Sequence, residues 1–400
     1  MLKILHINTF SWGGAAKAGI RLHEALLRYG VSSKILFLEQ NDYNIPESYD
    51  FKGHLSKQNI TKKLRQKLKE KYVTHRQLQK LKSIGGDPNL FKFSQTPYRV
   101  LDHPLFQWAD IVHLHWVSDL INPITFFQNI QQPVFWTFHD LQAVSGGYHY
   151  NCGIDKEQYS KLIARNQFIN KKSIAKQRIH VICPSQWMLK SVENSELLEN
   201  AQCFHLPYGV DTDIFSPLSQ ETARTILGLA VESKIALFAA GNLFDPRKGL
   251  IDLLAAFAQL KDENIQLAVV GNKYQKQLPE NVHYLGNMKD ERLMRVAYAA
   301  ANITVLPSLA DNLPNTALES LLCGTPILAN RVGGLVEIVN EQNGSLCDTQ
   351  NIDEFAQQLV AILNKGFNNH LILQAAVKKY GNASQIESII PLYERVLAKV

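Results

Sequence analysis

The sequence predicts an α/β protein built from two doubly wound domains, each with a parallel sheet. Two observations carry this prediction. Strand-like apolar segments alternate with helix-like amphipathic segments along the chain, and a turn-rich stretch at 205–217 divides that alternation into two halves. The length agrees, because 400 residues suit two large domains. Composition excludes disordered and coiled-coil chains, since 46% of the residues are apolar and 20% are charged.

Each half contains five predicted strands. Those of the first half are Lys3–Asn8, Ser33–Leu38, Ile111–Trp116, Pro133–Phe138 and His180–Pro184. Those of the second half are Lys234–Ala240, Gln266–Gly271, Val282–Gly286, Ile303–Pro307 and Pro326–Asn330. The turn-rich stretch between the halves predicts a first domain at 1–206 and a second from 207 onward. Near the end, Ile386, Ile389, Ile390, Tyr393, Val396 and Leu397 form a helical apolar stripe that must be buried against one of the two domains.

Targeting and redox signals are weak in this chain. The opening MLKILHINTF is interrupted by His6 and Asn8, so we expect a first strand there and not a signal peptide. No apolar run reaches the length of a membrane span. The five cysteines are odd in number and contain no C-x-x-C pair, which disfavours a disulfide framework and structural zinc. Their usage indicates a reducing, cytoplasmic location.

A strongly basic segment fits the strand–helix alternation poorly. Residues 52–82 contain eleven lysines and arginines and the single acid Glu70. Apolar residues recur there every four positions, which predicts an amphipathic helix; they are Ile60, Leu64, Leu68 and Tyr72. Two interpretations stay open: an ordinary surface helix with a solvated basic face, or a surface for anionic lipid headgroups or an anionic acceptor. Nucleic acid is disfavoured, because no aromatic-interleaved basic motif accompanies the charge.

Ligands of doubly wound sheets bind beyond the carboxyl ends of the strands, so the loops that follow strands are the candidate sites. The first such loop contains Gly13 and Gly14, whose backbone could approach an anion at a helix N-terminus. A simple tight turn explains it equally well. The second contains His139 and Asp140, which suit hydrogen bonding to sugar hydroxyls or acid–base chemistry, although Asp140 could also be a helix cap.

Two loops in the second half give a stronger signal. Arg247 and Lys248 precede a helix, where positive charge opposes the helix dipole unless an anion such as a diphosphate binds there. Asp311 and Glu319 frame the start of another helix and could bind sugar and ribose hydroxyls while the helix amides hold phosphate. For Glu319 a second interpretation is open, since Thr316-Ala-Leu-Glu319 also matches a capping box.

Two further patterns look chemical, and we assign them no chemistry. Asp211-Thr212-Asp213 matches a metal-binding D-x-D, but it lies in the interdomain turn, where both carboxylates are better explained as caps. His113 and His115 share one face of a strand, and the sequence offers no third ligand nearby, so we predict no metal site.

Together these motifs identify a family. The segment from Asp311 to Glu319, followed by Cys-Gly-Thr-Pro, resembles the E-x7-E signature of retaining family 4 glycosyltransferases. The resemblance extends over nearly the whole chain and includes the loops described above, the hinge at Pro207–Pro217 and the segment Val282–Gly286. The stretches TFHDLQAVSGGYHYNC and DNLPNTALES resemble the branch that builds bacterial exopolysaccharides and surface glycans.

The resemblance implies a GT-B fold: two facing Rossmann-like domains, with a C-terminal helix at 385–400 that crosses back to the first. It implies an acceptor-side domain at 1–206 and a domain at 207–384 that binds a nucleotide-diphosphate sugar. Catalysis would be retaining and independent of metal or other cofactor. The acceptor would be a glycan or lipid-linked molecule in surface polysaccharide synthesis. The candidate membrane contact at 52–82 follows from the basic residues of that segment and not from the resemblance.

The resemblance also implies a role for each matching residue. The candidates for catalysis are His139, Arg247, Lys248 and Asp311, and those for donor binding are Gly13, Gly14, Asn242, Asn315, Thr316 and Glu319. Lys248, with Arg247 close by, would hold the diphosphate, and the amides of Asn315 and Thr316 would assist. Gly14 would approach the phosphates, and Glu319 would bind the ribose. His139 would contact the sugar near its reacting carbon.

The chain departs from the family pattern at two positions. Asn242 stands where the family often has arginine, so one phosphate cation is missing unless Arg247 replaces it. Asp311 stands where glutamate is usual, one methylene shorter. Two alternatives stay open. One is a nucleotide-sugar epimerase of the same fold, and the other is a non-catalytic subunit that binds nucleotide sugar, which the two departures favour.

Overall fold

A seven-stranded parallel sheet organises unit 1, which comprises Met1–Pro207 and Gln385–Val400. A six-stranded parallel sheet organises unit 2, Tyr208–Ser384. The structure is a computed structural model, and it describes residues 2–41, 44–57, 59–174, 177–193, 195–260, 264–272, 277–348 and 352–399.

The strands of unit 1 alternate with helices for most of its length. Its strands are β1 (Lys3–Phe10), β2 (Ser32–Glu39), β3 (Ser48–Asp50), β4 (Ile111–Leu114), β5 (Val134–Thr137), β6 (Ile179–Cys183) and β7 (Gln202–His205). Its helices before the boundary are α1 (Gly14–Arg28), α2 (Phe51–Ser56), α3 (Ile60–Lys82), α4 (Leu105–Trp108), α5 (Pro123–Phe127), α6 (Gln142–Ser145), α7 (Ser160–Ile174) and α8 (Gln186–Val192).

Unit 2 repeats the pattern. Its strands are β8 (Lys234–Ala240), β9 (Ile265–Gly271), β10 (Val282–Gly286), β11 (Ile303–Leu306), β12 (Ile327–Asn330) and β13 (Gly344–Cys347). Its helices are α9 (Gln220–Leu227), α10 (Leu250–Gln259), α11 (Glu291–Ala300), α12 (Asn315–Leu322), α13 (Leu335–Ile338), α14 (Ile352–Asn364) and α15 (Asn369–Tyr380), and α16 (Asn382–Leu397) follows them. Short 3-10 helices lie at Val100–Asp102, Glu196–Leu198 and Pro246–Lys248.

The strand order is that of a Rossmann-like sheet in both units. It is β3-β2-β1-β4-β5-β6-β7 in unit 1 and β10-β9-β8-β11-β12-β13 in unit 2. The chain therefore reverses its winding direction between β1 and β4 and again between β8 and β11. Such switch points open a crevice at the carboxyl ends of the strands, where ligands of these folds bind.

The predicted α/β class and all ten predicted strands are confirmed. The central strands carry the clearest signal, because they are buried on both faces; β4, β5, β11 and β12 are buried at every residue. Three further strands, β3, β7 and β13, were not predicted, and they lie at the edges of the two sheets.

The apolar stripe of α16 packs into unit 1. Ile386, Ile389 and Tyr393 join a hydrophobic cluster with Ile4 of β1 and Phe135 of β5. Helix α16 begins at Asn382, in the last residues of unit 2, and continues past the boundary at Gln385. The part of the helix that follows unit 2 in sequence completes the core of unit 1.

The helix predicted within 52–82 is present as α3, but its orientation differs from that of an ordinary surface helix. Such a helix would bury its apolar residues, whereas Ile60, Leu64, Leu68 and Tyr72 are all exposed here. The basic face of α3 is solvated, as the surface-helix interpretation expected, but the apolar row is solvated too, which that interpretation does not explain. No helix in the described part of the chain is long and apolar enough to cross a membrane.

Candidate functional site

The loop after β8 carries the two predicted cations at the switch point of unit 2. A 3-10 turn at Pro246–Lys248 follows Asp245, whose Oδ1 accepts a hydrogen bond from the Arg247 amide at 3.0 Å. The Arg247 carbonyl in turn accepts a hydrogen bond from the Leu309 amide, in the loop after β11, at 2.8 Å. The loops that follow the two switch-point strands are thus joined through their backbones.

Asp311 brings the two cations together. Its Oδ2 lies 2.5 Å from Nζ of Lys248 and 3.6 Å from Nη1 of Arg247. Arg247 also contacts Asp245 at 3.0 Å and donates a hydrogen bond to the Ala310 carbonyl at 2.7 Å. The conflict with the helix dipole that the sequence predicts is thus offset within the protein, and the cations do not by themselves require a bound anion.

The electrostatic surroundings of Asp311 favour its ionised form. Burial alone would raise the pKa of Asp311, but the charges of Lys248 and Arg247 and hydrogen bonds from Lys248 and the Asn312 amide outweigh it and lower that pKa. Asp311 therefore stays ionised at neutral pH. The cluster presents two partly exposed cations, whose side chains are 23% and 21% exposed, next to a buried anion.

Two glycines allow this close approach. At Gly249 the backbone has φ +75°, and a Cβ there would lie 2.4 Å from the Pro307 carbonyl oxygen. At Gly333 φ is +52°, and a Cβ would lie 1.6 Å from the carbonyl oxygen of Asp311. Both positions need glycine, because any side chain would push the loops apart.

Asn242 has a structural role in the same loop. Its Oδ1 accepts hydrogen bonds from the Phe244 amide at 3.0 Å and from Nδ2 of Asn272 at 3.2 Å. It braces the turn after β8 against the end of β9. Arg247, the proposed substitute for a missing cation, is held by Asp245 and Ala310 on the protein itself.

Helix α12 contains three of the predicted donor-binding residues, Asn315, Thr316 and Glu319. Glu319 is buried, and its Oε2 accepts a hydrogen bond from the hydroxyl of Tyr298 at 2.8 Å. The capping-box interpretation of Thr316 and Glu319 is wrong, because α12 begins at Asn315 and Pro314 occupies its N-cap without a side-chain hydrogen bond. The backbone amides of the first turn therefore have no capping side chain at that position.

Unit 1 places its glycine loop at its own switch point. Gly13 has φ +94° and forms the N-cap of α1 without a side-chain hydrogen bond, and Gly14 is the first helical residue. Both glycines are exposed. A side chain at Gly13 would meet open space, so glycine is required there by backbone conformation alone.

The predicted pair His139 and Asp140 is divided between two networks. Asp140 accepts hydrogen bonds from the Gln142 amide at 2.9 Å and from Nε1 of Trp116 at 3.2 Å, and its Oδ2 lies 2.8 Å from Nδ1 of His149. Its hydrogen bond with the Gln142 amide closes the turn that leads into α6, whose N-cap residue is Leu141 and has no side-chain cap hydrogen bond. Nε2 of His139 lies 3.1 Å from Nδ1 of His115.

A cluster of buried histidines extends from His139 into unit 1. Nδ1 of His6 lies 3.0 Å from Nε2 of His115, and the rings of His113 and His115 are stacked at 4.6 Å. His113 lies 2.6 Å from the Tyr393 hydroxyl and 2.8 Å from the Thr137 hydroxyl. The series His6–His115–His139 thus connects the middle of the unit 1 sheet with the loop that follows β5.

The cluster corrects the expectation that no third ligand lies near His113 and His115. His6 pairs with His113 across β1 and β4, and candidate ligand atoms of the three residues lie within 4.8 Å of one another. Metal binding would need their nitrogen lone pairs to converge, but the rings of His113 and His115 are nearly parallel, at 18°, and their nitrogens already take part in hydrogen bonds. Sequence spacing could not reveal His6, since its proximity depends on the order of the strands.

Burial keeps these imidazoles neutral. It lowers the pKa of His115 to about 3, with His23 contributing, and it lowers the pKa of His6 and His113 well below the usual range. The pKa of His139 is lowered in the same way, by burial and then by His115. Nε2 of His6 has no hydrogen-bond partner among the described residues.

The D-x-D pattern has the turn role that its position suggests. Oδ1 of Asp211 accepts a hydrogen bond from the Asp213 amide at 2.9 Å, which closes a tight turn at the start of unit 2.

Comparison with known protein families assigns the core of unit 2. Residues 234–365, from β8 to just beyond α14, match the family described as "Glycosyl transferases group 1". Residues 234–365 are a group 1 glycosyltransferase domain. This glycosyltransferase domain contains Arg247, Lys248, Asp311 and Glu319, together with the loops that position them.

Curated relatives extend the match beyond that domain. A D-inositol 3-phosphate glycosyltransferase from Mycolicibacterium smegmatis is 30% identical over 273 residues, which is 64% of this chain. A second one, from Catenulispora acidiphila, is 31% identical over 279 residues. The matches span 60% and 63% of the length of these two relatives.

Solved structures match the whole chain at the level of the fold. Sucrose-phosphate synthase from Thermosynechococcus elongatus is 20% identical with a TM-score of 0.71, and the match covers all of both chains. Anabaena Alr3699/HepE in complex with UDP and glucose is 15% identical with a TM-score of 0.67, and the match covers 98% of this chain and all of that one. The chain therefore has the GT-B fold, with a group 1 glycosyltransferase domain in its second half.

Proposed function

We propose that the chain is a retaining glycosyltransferase that moves a hexose from a nucleotide-diphosphate sugar to a glycan or lipid-linked acceptor. The observation that carries the proposal is the contact of Lys248 and Arg247 with Asp311 at the switch point of the glycosyltransferase domain. Support for a nucleotide-sugar donor comes from the relatives named as glycosyltransferases and from the fold neighbour that holds UDP and glucose.

The loop after β8 and the start of α12 would bind the diphosphate. Lys248 and Arg247 are held by carboxylates in the free protein, and their partly exposed ends leave room for an oxyanion. The amides of Asn315 and Thr316 begin a helix with no side-chain cap, where negative charge is favoured. Positive charge and amides together would stabilise the leaving diphosphate.

Sugar recognition falls to carboxylates of the same domain. Glu319 is held in one orientation by the Tyr298 hydroxyl, and we assign its carboxylate to the ribose hydroxyls of the donor. Asp311, ionised and fixed by Lys248, would accept hydrogen bonds from hydroxyls of the transferred sugar. From unit 1, Gly13 and Gly14 would approach the phosphates, and neutral His139 would contact the sugar near its reacting carbon.

In the proposed reaction the bond between the sugar C1 and the β-phosphate oxygen breaks, and the acceptor oxygen bonds to C1 on the same face. The acceptor proton passes to the departing phosphate. No protein nucleophile is needed, and charge neutralisation by Lys248 and the amides takes the place of a metal ion. We place this reaction in surface polysaccharide synthesis on the cytoplasmic side of a membrane.

The test begins with donor binding and continues with transfer. A thermal-shift screen of nucleotide-diphosphate sugars identifies the donor, because a ligand that binds only the native state raises its stability. With that donor, Lys248→Ala and Glu319→Gln are expected to lower turnover by about 100-fold or more. Their matched controls, Lys378→Ala and Glu341→Ala, change exposed residues of the same unit and should retain activity.

Other outcomes would replace the proposal. Unchanged transfer in both site variants would contradict it. If a labelled donor alone yields an epimerised sugar and free nucleotide, the chain is an epimerase of the same fold. If calorimetry shows donor binding that requires Lys248, and no acceptor pool receives sugar, the chain is a non-catalytic nucleotide-sugar-binding subunit.

A further inference from the structure

Helix α3 turns its polar side toward the protein and its apolar side toward solvent. Its partly buried side includes Gln66 and Glu70, which are hydrogen-bonded to each other at 3.0 Å, and Gln77, which donates to the Gln95 carbonyl at 2.8 Å. The opposite side carries large apolar residues with high exposure: Ile60 83%, Leu64 58%, Leu68 61% and Tyr72 60%. A helix that only covered the protein would have the reverse orientation.

The exposed apolar residues form a continuous stripe. They are spaced four apart, so they lie one above the other along more than three turns of the helix. Single exposed apolar residues are ordinary, but a contiguous row of four marks an interaction surface. Leu81 is the one fully buried residue of α3, and it anchors the far end of the helix to a cluster with Phe91 and Tyr159.

Positive charge borders the stripe on both sides. Helical spacing puts Lys67 and Lys71 along one edge and Arg65 and Lys69 along the other. The helix contains nine basic residues, and none of them is in a salt bridge within the part of the chain that the structure describes. They are Lys62, Lys63, Arg65, Lys67, Lys69, Lys71, Arg76, Lys80 and Lys82.

We propose that α3 binds the surface of an anionic lipid bilayer. The helix would lie in the plane of the interface, with Ile60, Leu64, Leu68 and Tyr72 below the headgroups and the lysines and arginines against lipid phosphates. Apolar insertion and electrostatic attraction each supply part of the affinity. The solvent-facing side of α3 carries the apolar row together with seven of the nine basic residues, all except the partly buried Lys63 and Lys80.

Other partners match only one of these two features. Nucleic acid would satisfy the positive charge, but the central row would then place isoleucine and leucine against phosphate, and Tyr72 is its one aromatic residue. A second copy of the chain would cover the apolar row, but it would bring two sets of nine positive charges together. A bilayer with anionic headgroups is complementary to both the apolar row and the positive charge of α3.

The test measures co-sedimentation of the full chain with vesicles. Vesicles of phosphatidylcholine containing about one third phosphatidylglycerol should retain the protein at low salt, and vesicles of phosphatidylcholine alone should retain much less. Raising the salt should weaken retention, because the electrostatic part is screened. This inference does not rest on the proposed transferase activity, since every readout is binding.

A pair of double variants separates the apolar contribution from a general effect of mutation. Leu64→Gln with Leu68→Gln should lower partitioning at least about tenfold. The matched control, Leu293→Gln with Leu371→Gln, changes two leucines that are 46% and 57% exposed in unit 2 and should bind as the wild type does. Thermal unfolding of both proteins verifies that they are folded.

Insertion depth gives an independent readout. In Tyr72→Trp, the indole should be quenched by brominated acyl chains in the anionic vesicles and not in neutral ones. Retention that is equal on neutral and anionic vesicles, or unchanged in the Leu64/Leu68 variant, would overturn the proposal. So would a dimer in solution that depends on those leucines, or tight binding to single-stranded RNA that persists in the same variant.

Discussion

At the residue scale, Asp311 is the side chain on which the unit 2 site depends. It is buried, it is ionised, and it fixes both Lys248 and Arg247. Removing its charge would leave two cations without their common partner in a partly desolvated position. The same carboxylate therefore supports both the local fold and the geometry proposed for donor binding.

Asp311→Asn is expected to lower the free energy of unfolding at pH 7 by about 1–3 kcal/mol, measured by urea denaturation. The folded-state pKa of Asp311 is lowered, so its contribution is full above the unfolded pKa near 4 and is lost as the pH falls through the folded value. The difference between wild type and variant should shrink in acid. Asp348→Asn, which breaks an exposed pair with Arg331, should change stability by less than about 1 kcal/mol.

The buried histidines predict that the stability of the fold also depends on pH between 7 and 5, above the range in which Asp311 is protonated. Folding lowers the pKa of His6, His113 and His115, so the unfolded state binds more protons below about pH 6.5 and stability falls as the pH decreases. Each should contribute about 2 kcal/mol of loss between pH 7 and pH 5. Denaturation at the two pH values measures the total.

A pair of variants tests whether the histidine cluster causes this dependence of stability on pH. His113→Phe removes one titrating group, so its loss between pH 7 and pH 5 should be about 2 kcal/mol smaller than that of the wild type. The control is His75→Phe, which changes an exposed histidine on α3 outside the cluster. Equal wild-type stability at the two pH values would show that these imidazoles are not buried as neutral groups.

The sequence located the residues that lie in loops after strands, because parallel strands place those loops at one edge of a sheet. It gave no sign of His6, whose position beside His113 depends on β1 and β4 being neighbours although more than a hundred residues separate them. It also could not reveal that Asp245 and Asp311 neutralise Arg247 and Lys248, since side-chain pairing between loops has no periodic pattern.

At the scale of single elements, the turn that ends the β8 loop is tightly constrained. Gly249→Ala should destabilise the protein by more than about 2 kcal/mol and weaken donor binding, because the new Cβ meets the Pro307 carbonyl. Gly228→Ala is the matched control: φ is +66° there, but a Cβ would meet open space, so only about 1 kcal/mol of backbone strain is expected. Urea denaturation and calorimetry with the donor compare the two variants, and equal losses would contradict the steric argument.

The strands that escaped prediction share one physical property. β3, β7 and β13 are edge strands of three or four residues, and each is only partly buried. Their sequences lack the continuous apolar run that two-sided burial imposes on central strands. The orientation of α3 could not be predicted for a related reason. The spacing of its apolar residues defines an apolar face, but it does not say whether that face packs against the protein or stays exposed.

At the scale of the whole molecule, α16 makes the first unit depend on the end of the chain. Ile389 is fully buried in the cluster that α16 shares with β1 and β5. Ile389→Ala is expected to lower the stability of unit 1 by about 2–5 kcal/mol. Amide hydrogen exchange should show faster opening in β1 and β5 with little change in β8 and β11.

Glu387→Ala, on the exposed side of the same helix, is the control for that experiment and should leave exchange in unit 1 unchanged. Faster exchange spread equally over both units of Ile389→Ala would mean that the two units unfold together, contrary to the packing of this residue within one hydrophobic cluster.

This packing has a consequence for biosynthesis. While the ribosome is still translating, unit 2 has all of its own segments as soon as residue 384 has emerged, but unit 1 lacks the strip that seals one face of its sheet. The half that is made first therefore keeps Ile4 and Phe135 incompletely covered until residues 385–397 have also emerged. The nascent chain would be most vulnerable to chaperone capture or aggregation in that interval.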